Sequence, residues 1–367
     1  MVALSGGVDS AVVAWLLREQ GNAVQCLHMT NWDADDGYCR AAEDLQDARQ
    51  ICRQLDLPLH RVNFASEYRR QVFADFLSEH RHGRTPNPDV LCNREIKFGV
   101  MKQYAARLGI DYLATGHYAR LRHVNGELQL LKGRDASKDQ SYFLHALDAS
   151  ALDKVLFPLG EYTKTEAREW ARTARLSIAG KKDSTGICFI GERPFAQFLS
   201  RYIDARPGPV LTPEGKQLGQ HRGLAFYTLG QRQGLGIGGR SGATEDPWYV
   251  AEKRAADNAL IVVQGHDHPL LYAERLLASQ MHWINQPPVA LGAGSLRCSA
   301  KTRYRQADQA CWAKRIDPDT IEILFDQPQR SMTPGQYAVL YDGERCLGGG
   351  RIAATGWRSN PGRVQAG

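Results

Sequence analysis

The chain has 367 residues, of which 43% are hydrophobic and 23% charged, the balance of an ordinary globular protein long enough for two or three domains. No apolar stretch reaches membrane-spanning length, and the four residues ahead of Ser5 leave no room there for a signal or transit peptide, so a cytoplasmic protein without membrane attachment is expected. Eight cysteines without a Cys-x-x-Cys or a small-framework spacing read as reduced thiols, and a net charge of +6 suits an RNA partner without demanding one.

A short apolar run, Val2-Ala3-Leu4, leads into Ser5-Gly6-Gly7-Val8-Asp9-Ser10 and then a helical pattern from Ala11 to Gln20 that Gly21 can close. The run is shorter than the five or six residues of a typical strand, so a short first strand or a longer native N-terminus is expected. Ala23 to Met29 reads as a buried parallel strand. Leu45, Ala48, Ile51, Cys52 and Leu55 recur at helical spacing, and Leu57 to Asn63 gives another strand. Helices are predicted over 67–80 and over 95–108, the latter closed by Gly109, with Gly83 to Asn93 a rigid loop because Pro86 and Pro88 oppose regular helix. Tyr112 to Thr115 is a strand ending at Gly116-His117. This alternation predicts a doubly wound, mostly parallel α/β sheet with ligands at the carboxyl ends of its strands, where Ser5, Met29, Gly116 and His117 would lie.

Arg120 to Leu131 alternates around Asn125-Gly126 as a hairpin, Thr163 with Glu166 forms a capping box opening a helix to about Ala174, and 194–202 is helical. Beyond Arg206-Pro207-Gly208-Pro209 the pattern turns to short strands: Leu224–Thr228, Trp248–Val250, Ala259–Val263, Thr320–Phe325, and the pair Tyr337–Tyr341 and Arg345–Leu347 around Asp342-Gly343. The expected units are a catalytic α/β domain over 1–204, a small β-rich domain over 205–270 and a C-terminal β-barrel over 271–367.

The glycine turn between strand and helix is an anion site: free N–H groups and the helix dipole face a phosphate, and glycines admit it closely. Ser5 and Ser10 can donate hydroxyls, and Asp9 can hold a Mg²⁺ carried by the nucleotide; no metal site of the protein's own is expected. No Lys-Ser or Lys-Thr follows, so the loop is not a Walker A motif. Two cysteines stand in promising settings. Cys92 lies at the expected helix entrance beside Arg94 and Lys97, with Asp89 as a nearby acid/base, and Cys188 follows the basic loop Lys181-Lys182. Gly234 to Gly239 fits GxGxxG but lacks the flanking strand and helix, and His266 and His268 lack a third metal ligand. Cys26, Cys39, Cys52, Cys298, Cys311 and Cys346 are assigned to packing or exposure.

The Ser5 loop resembles the SGGxDS loop of the PP-loop ATP pyrophosphatases. With GRTPNPDVLCN at Gly83, ATGHY at Ala114, KDQSYFL at Lys138, DSTGICFIGER at Asp183, TLGQRQGLGIGG at Thr228 and KTRYRQ at Lys301, the chain resembles the tRNA-specific 2-thiouridylase family almost end to end. The resemblance implies an ATP-dependent sulfurtransferase that adenylates the carbon-2 oxygen of the wobble uridine and replaces it with sulfur. It implies ATP at Ala3, Leu4, Ser5, Gly6, Gly7, Val8, Asp9 and Ser10, with Met29 and Gly116 framing the adenosine. Cys188 would carry a persulfide received from a sulfur-relay protein. Cys92 would free hydrosulfide from it or resolve it, leaving a Cys92–Cys188 disulfide, with Asp89 as acid/base. The target base would touch Asn87, Pro88 and Asp89, while His117, Lys138, Asp139, Gln140, Arg303, Tyr304 and Gln336 would contact tRNA, Arg303 and Tyr304 from an exposed barrel strand. Two rivals remain: a PP-loop ligase acting on a small molecule, which would not need Cys188, and a non-catalytic RNA-binding protein, against which Asp9, Asp89, Cys92 and Cys188 all speak. The resemblance leaves oligomeric state open.

Overall fold

The computed structural model describes residues 1–32, 41–182, 194–237, 246–356 and 365–366. Its first sheet is parallel throughout, in the order Leu59–Asn63, Cys26–Thr30, Val2–Ala3, Leu113–Ala114, Val155–Leu156. Short as it is, Val2–Ala3 takes the central position. Val2 N donates to Gln25 O at 2.7 Å, Leu4 N to Leu27 O at 2.9 Å and Ala114 N to Met1 O at 2.8 Å, so neighbours on both sides fix where the chain leaves the sheet. The helix Val8–Glu19 then buries Val8, Ala11, Val12, Val13 and Ala14, a continuous apolar block suited to packing under a sheet.

Three expectations need correction. The proline-rich segment is not a loop up to Glu95: the helix begins at Pro88, with Asn87 as its cap accepting from Asp89 N at 3.2 Å. Pro88 sits in the first turn, where its missing N–H costs nothing, so the second proline starts the helix that it was expected to forbid. Cys92 is therefore inside the helix, 2% exposed, and not at its entrance. From Cys92 to Met101 the helix widens to π-type turns, a form that recurs at functional sites. Leu224–Phe226 is a 3-10 turn and not a strand, because Gly223 at φ +137° redirects the chain and Phe226 N bonds back to Gly223 O. Arg303 and Tyr304 lie in a turn after the strand Ser295–Lys301, with Gln306 N donating back to Arg303 O at 3.2 Å.

The middle domain is a four-stranded sheet in the order Trp248–Arg254, Ala259–Gln264, Gly208–Leu211, Gln217–His221. The C-terminal strands run Tyr272–Trp283, Thr320–Arg330, Gln309–Asp317, Ser295–Lys301, Tyr337–Asp342, Arg345–Gly356, and the last pairs with the first to close a six-stranded antiparallel barrel. The expected hairpin, Ala119–Val124 with Glu127–Lys132, forms as predicted but joins this barrel, Leu131 facing Arg345 and Leu130 facing Cys346. Buried polar bonds seal the same seam: Tyr142 OH donates to Tyr337 O at 3.0 Å, and Ser141 Oγ lies 3.2 Å from Tyr341 OH.

Candidate active site

The rim above the parallel sheet begins with the glycine loop. Gly6 adopts φ +81°, and a Cβ there would stand 2.4 Å from Asp44 O, so this position requires glycine on both counts. Gly7 caps the helix, and the two serines shape the loop: Ser10 Oγ donates to Gly7 O at 3.1 Å and accepts from Ser5 N at 3.2 Å. The helix N-terminus thus presents amide donors around a backbone that glycine keeps open. Ala3 and Leu4 lie in and just beyond the central strand, and Met29 near the end of the next, so the expected nucleotide residues are brought together at one edge. Gly116 completes that edge; a Cβ on it would meet Ser10 N at 3.0 Å and Asp9 Cβ at 3.1 Å.

Two lysines that the sequence reading did not single out for this loop hold it in place. Lys164 Nζ lies 2.7 Å from Asp9 Oδ1, and Tyr118 OH donates to the same oxygen at 2.9 Å. Lys181 Nζ donates to Gly6 O at 3.1 Å and pairs with Asp44 at 2.8 Å and Asp47 at 2.6 Å. Although burial works against its charge, those two carboxylates raise the Lys181 ammonium above the ordinary lysine range. Lys164 opens the capping-box helix and Tyr118 closes ATGHY, so both stood beside recognised signals, yet nothing in their spacing pointed to Asp9. Among the described residues no cluster of three or more acids, histidines or cysteines could hold a metal ion.

The second group comes from the helix begun by Asn87. Asp89 and Cys92, one turn apart, share a helix face. Burial pushes the Asp89 carboxyl above its ordinary range, against the pull of Lys97, which suits a group that gives and takes a proton. His117 is buried with its Nδ1 2.7 Å from Thr115 Oγ1 and its ring 5.8 Å from those of Phe98 and Phe157. Burial first and Lys97 second lower it well below the usual histidine range, which favours the neutral ring. Lys97 therefore acts on Asp89 and His117 alike, which places the Asn87 helix and the Gly116-His117 edge in one electrostatic neighbourhood. Cys188 falls within residues 183–193, outside the described residues.

The barrel grips the chain just ahead of Asn87. Thr85 N donates to Pro334 O at 2.9 Å, and Gln336 Nε2 donates to Thr85 O at 2.7 Å. Arg84 forks onto Glu79 at 2.5 and 2.7 Å, and Arg351 of the barrel reaches Glu79 at 3.1 Å and Asp75 at 3.0 Å. Burial opposes the charge of Glu79, but these two guanidinia hold its carboxyl below the ordinary range. Gln336, expected at tRNA, is thus occupied in this clamp. Asp139, expected likewise, is 4% exposed and accepts from Gly133 N, Ser141 N and Ser141 Oγ while pairing with Lys301 at 3.2 Å. Its carboxylate organises the loop and does not face outward. Gln140 bonds Tyr118 through both side chain and backbone, and Lys138 is half-buried. The Tyr304 ring packs, tilted, 4.4 Å from that of Phe143 and its hydroxyl donates to Lys138 O at 3.4 Å, and Arg303 is exposed beside it. Lys138, Arg303 and Tyr304 form one basic-aromatic patch across the seam, a combination that fits phosphate contact and base stacking.

Family comparison agrees with this arrangement along the whole chain. The tRNA methyl transferase HUP domain family matches residues 1–192, its PRC-barrel domain residues 196–264, and the aminomethyltransferase beta-barrel domain residues 273–352. The tRNA-specific 2-thiouridylase MnmA of Shigella dysenteriae serotype 1 is 54% identical over 355 residues, 96% of each chain. The chain belongs to the tRNA-specific 2-thiouridylase family. The 2-thiouridylase of Citrobacter koseri is similar to the same extent, 54% over 96% of each chain. Among solved structures, a 4-thiouridine synthetase–RNA complex with bound ATP aligns over 55% of this chain and 49% of its own, with 20% identity and a TM-score of 0.35. As a 2-thiouridylase the chain is an enzyme, a sulfurtransferase of the ATP-using PP-loop class. No described helix is long and apolar enough to cross a membrane.

Proposed function

We propose that this 2-thiouridylase replaces the carbon-2 oxygen of the wobble uridine in tRNA by sulfur, consuming ATP, in the cytoplasm. The observation that carries the reading is the convergence of the glycine loop, the Gly116-His117 edge and the Asp89–Cys92 helix face on one rim. ATP is a substrate here: its adenylyl group makes AMP the leaving group at carbon 2. Ser5 to Ser10, Met29 and Gly116 hold it, Asp9 stands by the Mg²⁺ that it carries, and Lys164 and Tyr118 keep Asp9 oriented.

The target base unstacks from the anticodon loop and meets Asn87, Pro88 and Asp89. Lys138, Arg303 and Tyr304 hold the RNA, with His117, Asp139, Gln140 and Gln336 shaping the surface around it. A protein persulfide donor loads Cys188. The terminal sulfur of that persulfide bonds to carbon 2 as the carbon–oxygen bond to AMP breaks. The Cys92 thiolate then attacks Cys188 Sγ, cleaving the sulfur–sulfur bond and leaving thiouridine with a Cys92–Cys188 disulfide. In the hydrosulfide route Cys92 attacks first and the released hydrosulfide bonds to carbon 2; the same disulfide results. A dithiol reductant restores both thiols. Asp89, whose carboxyl burial pushes above its ordinary range, shuttles the proton.

Nucleoside mass spectrometry of unmodified tRNA, incubated with Mg-ATP and a persulfide donor, tests the reading. ATP-dependent 2-thiouridine that disappears in Cys188→Ser and Cys92→Ser is expected. An active Cys188→Ser with the persulfide donor would overturn the sulfur route, and tRNA binding with no thiolation would overturn the function.

A further inference from the structure

Where the three domains meet lies a cavity of about 610 Å³, away from the nucleotide rim, whose lining includes His82 and Thr85 of the first domain, Lys253 and Arg254 of the middle domain and Ser331 and Thr333 of the barrel. This volume is typical of a small-ligand site. Lys253 Nζ donates to Tyr227 O at 2.7 Å, and among the described residues no carboxylate pairs with it. Burial with no acid to offset it lowers the ammonium to about 7. By contrast Arg254, its neighbour, is satisfied by Asp257 at 2.7 to 3.0 Å. Ser331 is 6% exposed, takes φ +50°, and its buried hydroxyl has no hydrogen-bond partner. A half-buried cation without a counter-ion and a buried hydroxyl without a partner are each costly to fold. One anion within reach of both would relieve both.

We infer that this junction cavity binds a phosphate group, with Lys253 as its cation and the hydroxyls of Ser331 and Thr85 as further donors. A point-charge ammonium surrounded by hydroxyls suits a tetrahedral oxyanion, whereas a planar carboxylate is better matched by the fork of an arginine. The phosphate comes either from the RNA backbone, a source that rests on the function proposed above, or from a free phosphate ester. Occupancy would bear on catalysis through Thr85, which lines the cavity and is bonded to the barrel just ahead of the Asn87 cap.

The test observes Lys253 directly in the full chain. Lysines are reductively methylated with carbon-13, and the Lys253 resonance is identified by its absence in Lys253→Arg and by its titration near neutral pH. Inorganic phosphate should move that resonance saturably, with half-saturation at about 1 mM, while equal ionic strength of chloride leaves it in place. Ser331→Ala should weaken the phosphate affinity by about three- to tenfold. Movement with unmodified tRNA but not with phosphate would assign the RNA backbone as the source. A resonance indifferent to both, or one that chloride moves equally, would overturn the site. The phosphate arm needs no thiolation, so its failure is separable from failure of the proposed reaction.

Discussion

Replacing Glu79 by Gln should loosen the grip of the barrel on the segment that delivers Asn87 and Asp89. The Glu79 side chain is 5% exposed and accepts from Arg84 at 2.5 and 2.7 Å and from Arg351 at 3.1 Å. Arg351 keeps Asp75 at 3.0 Å, but among the described residues Arg84 has no other carboxylate. Removing one partner of a buried pair costs about 3–5 kcal/mol. Two features reduce this: Arg84 is 28% exposed and regains water, and the Gln carbonyl still accepts one bond. The expected loss is about 2–3 kcal/mol. In urea the midpoint should fall by about 1 M for a slope of about 2–3 kcal/mol/M that itself stays unchanged. The pH dependence supplies a second check. The folded carboxyl lies below its ordinary value, so its stabilisation is complete above the unfolded value of about 4.3 and is lost as pH falls through the folded one. Wild type and Glu79→Gln should therefore converge in acid. A difference below about 0.5 kcal/mol at neutral pH, the range of an ordinary surface substitution, or one that persists in acid, would refute the reasoning.

Asp89→Asn should lower single-turnover thiolation by about 10²–10⁴-fold with tRNA affinity little changed, and the acid limb of the wild-type rate profile should lie above the ordinary carboxylate range; a variant within a few-fold of wild type removes Asp89 from the chemistry. Lys164→Met strips Asp9 of its charged partner at 2.7 Å, and the half-saturating ATP concentration should rise by about tenfold; an unchanged ATP dependence shows that Lys164 is structural only. Gly116→Ala presses a methyl against Ser10 N and the Asp9 backbone at 3.0 to 3.2 Å, costing about 1–3 kcal/mol in a way that ATP binding, measured by calorimetry, should register.

Local signals in the sequence reached the structure intact wherever one segment carried them. The Asn125-Gly126 hairpin and the Thr163–Glu166 capping box formed as read. Misreadings came where a residue has two uses. Pro88 breaks a helix from inside and starts one from its first turn, and only the Asn87 cap distinguishes the cases. Gly6 was legible as a backbone device, but Lys164, Lys181 and Arg351 reach their partners across long stretches of chain, so no periodicity could reveal them. Asp139 shows the converse: its motif drew attention to it, and the fold uses its carboxylate inward.

The hairpin Ala119–Lys132 also sets a timetable for biosynthesis. It emerges from the ribosome long before Arg345–Gly356, the strand that it pairs with, so one of its edges stays without a partner while the middle domain and most of the barrel are still being made. Completion of the first domain thus waits on the last strands of the barrel. A nascent chain stopped before residue 345 presents an open strand edge at Glu127–Lys132.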